Sequence, residues 1–212
     1  MFRIILLSFL KTQGDIVNTH IVSELALERM VTAVQKVRDR LLRSTRALAE
    51  AGIPYAVAGG NAVASLVSEV DEAAVRNTQD VDIMLRREDL PKAKAALESI
   101  GFVYMHTSGL DMFLDGPGAK ARDAVHILFA NEKIRQEHEY PSPDVDDSKA
   151  AGSLRVIALE PLVRMKLVSY RDKDRTHIRD FIGVGLVDAN LVFKLPPLLA
   201  QRLQAILDNP EG

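Results

Sequence analysis

Apolar positions in the first quarter of the chain recur at three- and four-residue steps, the spacing of a helix that buries one face. The pattern starts after Ser23, a residue type that caps helices, and continues to about Glu50. Gly52 follows, where a left-handed residue closes a helix. We therefore predict one amphipathic helix from Ser23 to Glu50.

Shorter apolar runs farther along the chain predict a mixture of strands and helices. The predicted strands are residues 55–58, 80–85, 102–107, 111–114 and 124–130, and the predicted helices are residues 62–70, 89–99, 160–168, 171–180 and 198–207. A Pro- and Asp-rich loop is predicted over residues 140–153. Because the two kinds of element do not alternate strictly, we expect an α/β (α+β) fold with a mixed β-sheet flanked by helices.

The pattern divides the chain into three parts. Residues 1–20 form an N-terminal segment of uncertain order, residues 21–150 a core with its leading helix, and residues 151–212 a helical C-terminal extension. The apolar start, Met1–Leu10, has one Arg and no small-residue cleavage site. It is therefore interpreted as a β-strand or an apolar docking segment rather than as a signal peptide.

Composition excludes several classes of protein. The chain has 212 residues and no cysteine, which excludes disulfide scaffolds, thiolate zinc sites and cysteine nucleophiles and fits a cytoplasmic location. No apolar run approaches the ~20 residues that span a bilayer, so no membrane partner is expected. A net charge of −2 argues against an extended DNA-binding surface but leaves room for a small basic pocket.

Two carboxylates on one predicted strand are the sharpest chemical feature. Side chains alternate along a strand, so Asp80 and Asp82 share one face. Two carboxylates ~7 Å apart repel each other unless a positive charge lies between them. Magnesium takes one or two carboxylates together with substrate phosphates. We therefore predict Asp80 and Asp82 as metal ligands, with two solvated acids as the alternative.

A glycine turn, Gly59-Gly60-Asn61, lies where the predicted strand 55–58 passes into a helix. Glycines allow the backbone to approach a phosphate, and the first N–H groups of a helix attract anions. A Gly-Gly pair alone is usually only a turn. Together with the acidic pair downstream, it indicates a phosphate-binding site at Gly59, Gly60 and Asn61.

This combination, a strand ending in Gly-Gly, a helix and the stretch R-x-T-x-D-x-D, resembles the nucleotidyltransferase fold of the DNA polymerase β superfamily, and within it the AbiEii-like abortive-infection branch. The resemblance covers residues 50–130 and, more loosely, the helical part to residue 190. It implies that Gly59 and Gly60 hold the phosphates of a nucleoside triphosphate. It also implies that Asp80 and Asp82 bind Mg²⁺ or Mn²⁺, and that a nucleoside monophosphate passes to an acceptor hydroxyl.

Two departures from the family pattern bear on activity. The family commonly has Gly-Ser where this chain has Gly60-Asn61, and a third acid where this chain has His126. An imidazole can ligate a metal, although it suits Mn²⁺ or zinc better than Mg²⁺, and it can act as a general base. His126 is equally compatible with a fold that binds nucleotide without turnover, or with a structural histidine on an apolar strand.

Two basic residues are further candidates for nucleotide binding. Lys166 lies among apolar residues on a predicted helix, where a lysine either snorkels to solvent or points into a cleft. The resemblance implies that Lys166 meets the triphosphate, supported by Asp174 or Asp180. Arg76 precedes the acidic strand and either reaches a phosphate or the acceptor, or pairs with Glu72.

Three functions follow as alternatives. The first is a metal-dependent nucleotidyltransferase whose acceptor is tRNA, a protein or a small molecule, in a toxin–antitoxin or phage-defence setting with an antitoxin partner. The second is a catalytically degenerate module of the same fold that binds nucleotide or a partner. The third is a metal-dependent hydrolase that uses Asp80, Asp82 and His126.

Overall fold

The computed structural model describes the backbone of residues 2–210 and the side chains of residues 24–210. The strands are β1 (Ala56–Val57), β2 (Val81–Leu85), β3 (Val103–Thr107), β4 (Leu110–Leu114), β5 (Ala124–Phe129), β6 (Ser148–Ala151) and β7 (Leu154–Ile157). The α-helices are α1 (Phe2–Glu50), α2 (Gly59–Ser68), α3 (Leu90–Glu98), α4 (Leu159–Ser169), α5 (Asp172–Gly183) and α6 (Pro197–Asp208).

All seven strands join one mixed sheet in the order β3-β4-β5-β2-β1-β7-β6. β2 runs parallel to β5 and antiparallel to β1, and β1 runs parallel to β7. The hairpin β3–β4 extends the sheet beyond β5, and β3 forms one free edge. The predicted fold class, a mixed sheet flanked by helices, is therefore confirmed.

The helices cover the two faces of the sheet unequally. The C-terminal part of α1 and α3 pack on one face, where α1 contacts β2 and β5 and α3 contacts β3. α2 lies on the other face against β2 and β7, and α4 and α5 pack against α2. Val81, Ile83 and Leu85 of β2 are fully buried, as the alternation of that strand predicts.

Three details differ from the sequence prediction. Residues 2–50 contain no proline, and α1 continues through Ser23 back to Phe2, so residues 2–10 are helical rather than a strand. The predicted loop 140–153 contains β6, whose Ser-Lys-Ala-Ala sequence carries little strand propensity. The predicted boundary at residues 150/151 falls within β6.

No helix among the described residues is both long enough and apolar enough to cross a membrane.

Candidate functional site

The acidic strand and β5 bring three titratable side chains to one face of the sheet. In the parallel pairing of β2 with β5, Asp82 lies directly opposite His126. His126 Nδ1 is 3.6 Å from Asp82 Oδ1. Asp80, immediately before β2, lies on the same side because strand side chains alternate. His126 is therefore the third titratable side chain on this face, next to the two acids.

The glycine turn packs directly on these acids. Gly59 has a left-handed backbone with φ of +61°, and a Cβ at this position would lie 1.9 Å from Asp82 Oδ2. A Cβ on Gly60 would lie 2.7 Å from Thr78 Oγ1. Only glycine fits this approach, since real Cβ atoms do not come that close to other atoms. Both glycines open α2, so the free N–H groups of its first turn lie beside Asp82.

A buried ion pair faces the acids from the helical side. Lys166 Nζ of α4 donates to Asp174 Oδ1 of α5 at 3.2 Å, with both side chains more than nine-tenths buried. Arg171 Nε donates to the other oxygen of Asp174 at 2.8 Å. Burial lowers the pKa of Lys166, and the charge of Asp174 offsets this only in part. Burial raises the pKa of Asp174, but Arg171 and Lys166 outweigh it and hold that pKa below its ordinary value.

Two residues of α5 join the site although the sequence analysis did not assign them a role. Lys173 Nζ donates to Asp80 Oδ2 at 3.2 Å, which links α5 to the acidic strand. His177 lies one helical turn further and also lines the site. Burial, together with the charge of Lys166, lowers the pKa of His177 to about 4. The i,i+4 spacing of Lys173 and His177 is a signal for a shared helix face, but a helix with alternating charges, such as residues 171–180, is ordinarily solvent-exposed.

These residues surround a cavity of about 630 Å³, within the range of small-molecule sites. One wall, here called the sheet wall, consists of Gly59, Gly60, Asp80, Asp82 and His126. The opposite wall, here called the helix wall, consists of Lys166, Arg171, Lys173, Asp174 and His177. Six of the eight predicted site residues therefore meet in one cavity.

The other two predicted site residues are engaged elsewhere. The Asn61 side-chain amide donates to the backbone carbonyl of Asp80 at 2.7 Å and so holds the start of the acidic strand against the turn. Arg76 Nε donates to Asp180 Oδ1 at 2.7 Å, and neither Arg76 nor Asn61 lines the cavity. Asp180 thus anchors α5 to the loop before β2 instead of supporting Lys166.

The donor set fits a divalent cation that takes most of its ligands from a substrate. Among the described residues, no three His, Cys, Asp or Glu side chains are grouped closely enough to hold a metal ion by themselves. Asp80 and Asp82 nevertheless border one cavity, and the Asp82 carboxylate occupies the space that a Cβ on Gly59 would fill. Two carboxylates beside a glycine turn match the ligand preference of Mg²⁺, which takes one or two carboxylates together with substrate phosphates.

Comparisons with known proteins bear on the family and the fold of the chain. The model of a family described as uncharacterised nucleotidyltransferase matches residues 9–145. An antigenic nucleotidyltransferase-like protein from Paracoccidioides brasiliensis has a similar structure, with a TM-score of 0.50 and 21% identity over 82% of this chain and 90% of that chain. At that identity the likeness concerns the fold alone. No curated protein matches the chain.

Two further solved structures align over most of the chain with lower scores. The antibiotic-resistance factor ANT(2'')-Ia has a TM-score of 0.46 and 16% identity, over 87% of this chain and 94% of that chain. JHP933 from Helicobacter pylori has a TM-score of 0.45 and 12% identity, over 84% of this chain and 93% of that chain.

Proposed function

The chain belongs to the nucleotidyltransferase family whose model it matches, and we propose that it moves a nucleoside monophosphate from a nucleoside triphosphate to an acceptor hydroxyl. One observation carries the proposal. The Asp82 carboxylate lies between His126 and a glycine turn that admits no Cβ. A phosphate held at that turn is therefore within reach of the acids.

Both walls of the cavity contribute donors that bind the triphosphate. The N–H groups at the start of α2, beside Gly59 and Gly60, donate to phosphate oxygens. Lys166, Arg171 and Lys173 bring three positive charges from the helix wall. Charged donors form the stronger hydrogen bonds to phosphate, so the triphosphate lies between the two walls.

Asp80 and Asp82 are the residues that would hold Mg²⁺ or Mn²⁺, which when bound neutralises negative charge on the phosphates and on the leaving pyrophosphate. His126, whose Nδ1 faces Asp82, accepts the proton of the acceptor hydroxyl. The acceptor O–H bond breaks as its oxygen bonds to the α-phosphorus. The bond from that phosphorus to pyrophosphate breaks in the same displacement.

A second function has a specific observation in its favour. His126 replaces the third acid, and Lys173 already pairs with Asp80. A protein that binds nucleotide without turnover would keep the glycine turn and the helix wall under those conditions. This alternative is a catalytically degenerate binding module of the same fold.

The setting proposed for the activity follows the resemblance to the AbiEii-like branch. It is a toxin–antitoxin or phage-defence role in the cytoplasm, with an antitoxin partner and an acceptor that is RNA, a protein or a small molecule. A cytoplasmic location supplies the triphosphate and is compatible with a chain that has no cysteine.

The test is label transfer from each of the four radiolabelled nucleoside triphosphates, with Mg²⁺ or Mn²⁺, to total RNA, total protein and an aminoglycoside. Transfer by the wild type that is absent from the Asp80→Ala/Asp82→Ala variant supports the transferase. If no pool is labelled while calorimetry detects triphosphate binding, the binding module is the function instead. An Asp172→Asn variant is the control, because that side chain is 94% exposed on the outer side of α5.

A further inference from the structure

The first side chains of α1 that the structure describes stand apart from the sheet and from the other helices. Every side chain in residues 24–36 is exposed, whereas Leu41, Thr45 and Leu48 farther along the same helix are buried. Helices in proteins owe most of their stability to an apolar face that packs against another element. Residues 24–36 therefore lack the packing that holds the second half of α1 in place.

Apolar residues of this stretch form one stripe along the helix. Here called the α1 stripe, it consists of Leu27, Met30, Val31, Val34 and Val37. The members before Val37 are between 41% and 69% exposed. Apart from Val31, successive members are separated by alternating steps of three and four residues, which is the spacing at the seam of a two-helix coiled coil. The α1 stripe therefore has the pattern of a surface that pairs with a second helix.

Charged residues beside the α1 stripe are complementary to a second copy of the same stripe. Glu24 lies one heptad before Val31 and Arg38 lies one heptad after it, so all three border the stripe on the same side. In an antiparallel pair of copies centred near Val31, Glu24 of each copy faces Arg38 of the other copy. The opposite signs at equal distances from Val31 therefore favour a partner helix that is identical and runs in the opposite direction.

The same register closes the apolar seam between the two copies. Leu27 of one copy lies against Val37 of the other, and Met30 lies against Val34, so these side chains have apolar partners. A parallel pair would instead bring the glutamates of the two copies together at one end and the arginines together at the other, which is unfavourable. A lipid surface suits an apolar stripe flanked by Lys and Arg, whereas a glutamate borders this one.

From this self-complementary pattern we infer that the chain forms a homodimer in which residues 24–38 of two copies pair as an antiparallel two-helix coiled coil. A two-fold axis beside Val31 relates the copies, so the same patch serves both sides of the interface. None of the described residues of α1 lines the cavity. The dimer is therefore independent of the proposed function.

Analytical ultracentrifugation of the full chain tests the dimer. We expect the wild type to sediment with twice the mass of one chain, and Val31→Glu, which sets two carboxylates against each other at the axis, to raise the dimer Kd at least about a hundredfold. The matched control is Leu25→Glu, because Leu25 is also an exposed apolar residue of α1 but lies on the side opposite Val34, and it should dimerise as the wild type. A wild type that is monomeric up to about 0.1 mM, or a Val31→Glu variant that remains as dimeric as the wild type, overturns the inference.

Single cysteines test the direction of the pairing, because the chain has no cysteine of its own. A mixture of Glu24→Cys and Arg38→Cys chains should be joined by a short bismaleimide cross-linker, whereas neither variant alone should be joined to itself. Glu24→Lys should weaken the dimer several-fold, and adding Arg38→Glu to it should restore the wild-type Kd, since the opposite charges again face each other. Cross-linking of Glu24→Cys to itself, or no recovery in the double variant, contradicts the antiparallel arrangement.

Discussion

The two walls of the cavity are held in place by different forces. Asp82 and His126 of the sheet wall are fixed by the backbone register of β2 and β5, whereas Lys166 and Lys173 of the helix wall are fixed by ion pairs to Asp174 and Asp80. The family model covers the whole sheet wall and none of the helix wall. This contrast suggests that the sheet wall determines the chemistry and the helix wall determines how tightly the triphosphate binds.

The largest effect should come from the sheet wall. Asp82→Asn keeps the shape of the side chain but removes the charge that faces His126 and, in the proposed function, would face the cation and the phosphates. We expect label transfer to fall at least about 10²-fold, the loss typical of removing one electrostatic contact to a reacting group. Circular dichroism should show an unchanged fold. Retention of more than half of the wild-type rate would remove Asp82 from the reaction.

A methyl group on the glycine turn should act on both stability and transfer. Gly59→Ala places a Cβ 1.9 Å from Asp82 Oδ2 in a left-handed conformation. Gly52→Ala is the matched control, because its φ is +67° but nothing lies within 4 Å of the new atom. Left-handed backbone alone costs ~1–2 kcal/mol in a non-glycine residue.

Urea denaturation should therefore show a larger loss of stability for Gly59→Ala than for Gly52→Ala, and only Gly59→Ala should lose transfer. Equal losses of stability would mean that the acidic strand moves aside without cost.

A substitution in the helix wall should weaken triphosphate binding. Lys173→Met removes the ammonium group that pairs with Asp80 and keeps a long apolar stem. We expect the KM for the triphosphate to rise about tenfold with kcat nearly unchanged, since a charged hydrogen bond to a ligand is worth ~1.5–3 kcal/mol. Steady-state kinetics with Asp172→Asn as the control separates the two parameters. A fall in kcat at constant KM would place Lys173 with the sheet wall.

The two histidines should give the smallest effects, with opposite dependence on pH. Contact with Asp82 raises the pKa of His126 above 6.5, so its contribution to stability is present below that pH and is lost as the pH rises through the folded value. Burial lowers the pKa of His177 to about 4, so its contribution is present above 6.5 and is lost as the pH falls toward 4.

Urea midpoints of the wild type, His126→Gln and His177→Gln at about pH 5 and about pH 8 test this pair. On going to the lower pH, His126→Gln should become less stable relative to the wild type, and His177→Gln should become more stable relative to it. The same direction for both variants would contradict the contrast.

The residues of the sheet wall could be predicted from the sequence, whereas most of those of the helix wall could not. Alternation at residues 80–85 predicted β2 and the common face of Asp80 and Asp82, and Gly59-Gly60 marked the turn. Both are local patterns, and strand spacing transmits them directly into geometry. The role of Lys173 could not be predicted because its partner, Asp80, is distant in sequence. Taken by itself, a charged helix is expected to be solvent-exposed.

The same limit explains Asn61 and Arg76. Each has the chemistry to contact a phosphate, but each is committed to a partner that only the folded chain brings near: the Asp80 carbonyl for Asn61 and Asp180 for Arg76. The prediction for Lys166 was decided in the same way. The Lys166 side chain points into the cleft because the folded chain places Asp174 beside it as an ion-pair partner.

The parallel pairing of β1 with β7 has a consequence for synthesis of the protein. β1 pairs with β2 on one side, but Val57 is aligned with Val156 on the other, so this strand gains its second partner only about 100 residues later. Such distant pairings form slowly. Lys166 and Lys173 follow β7 in the chain. A nascent chain that has emerged only as far as β5 already carries both acids and His126, but it lacks the cations that would hold a triphosphate against them. The proposed triphosphate site is therefore complete only after the chain has been made through α5.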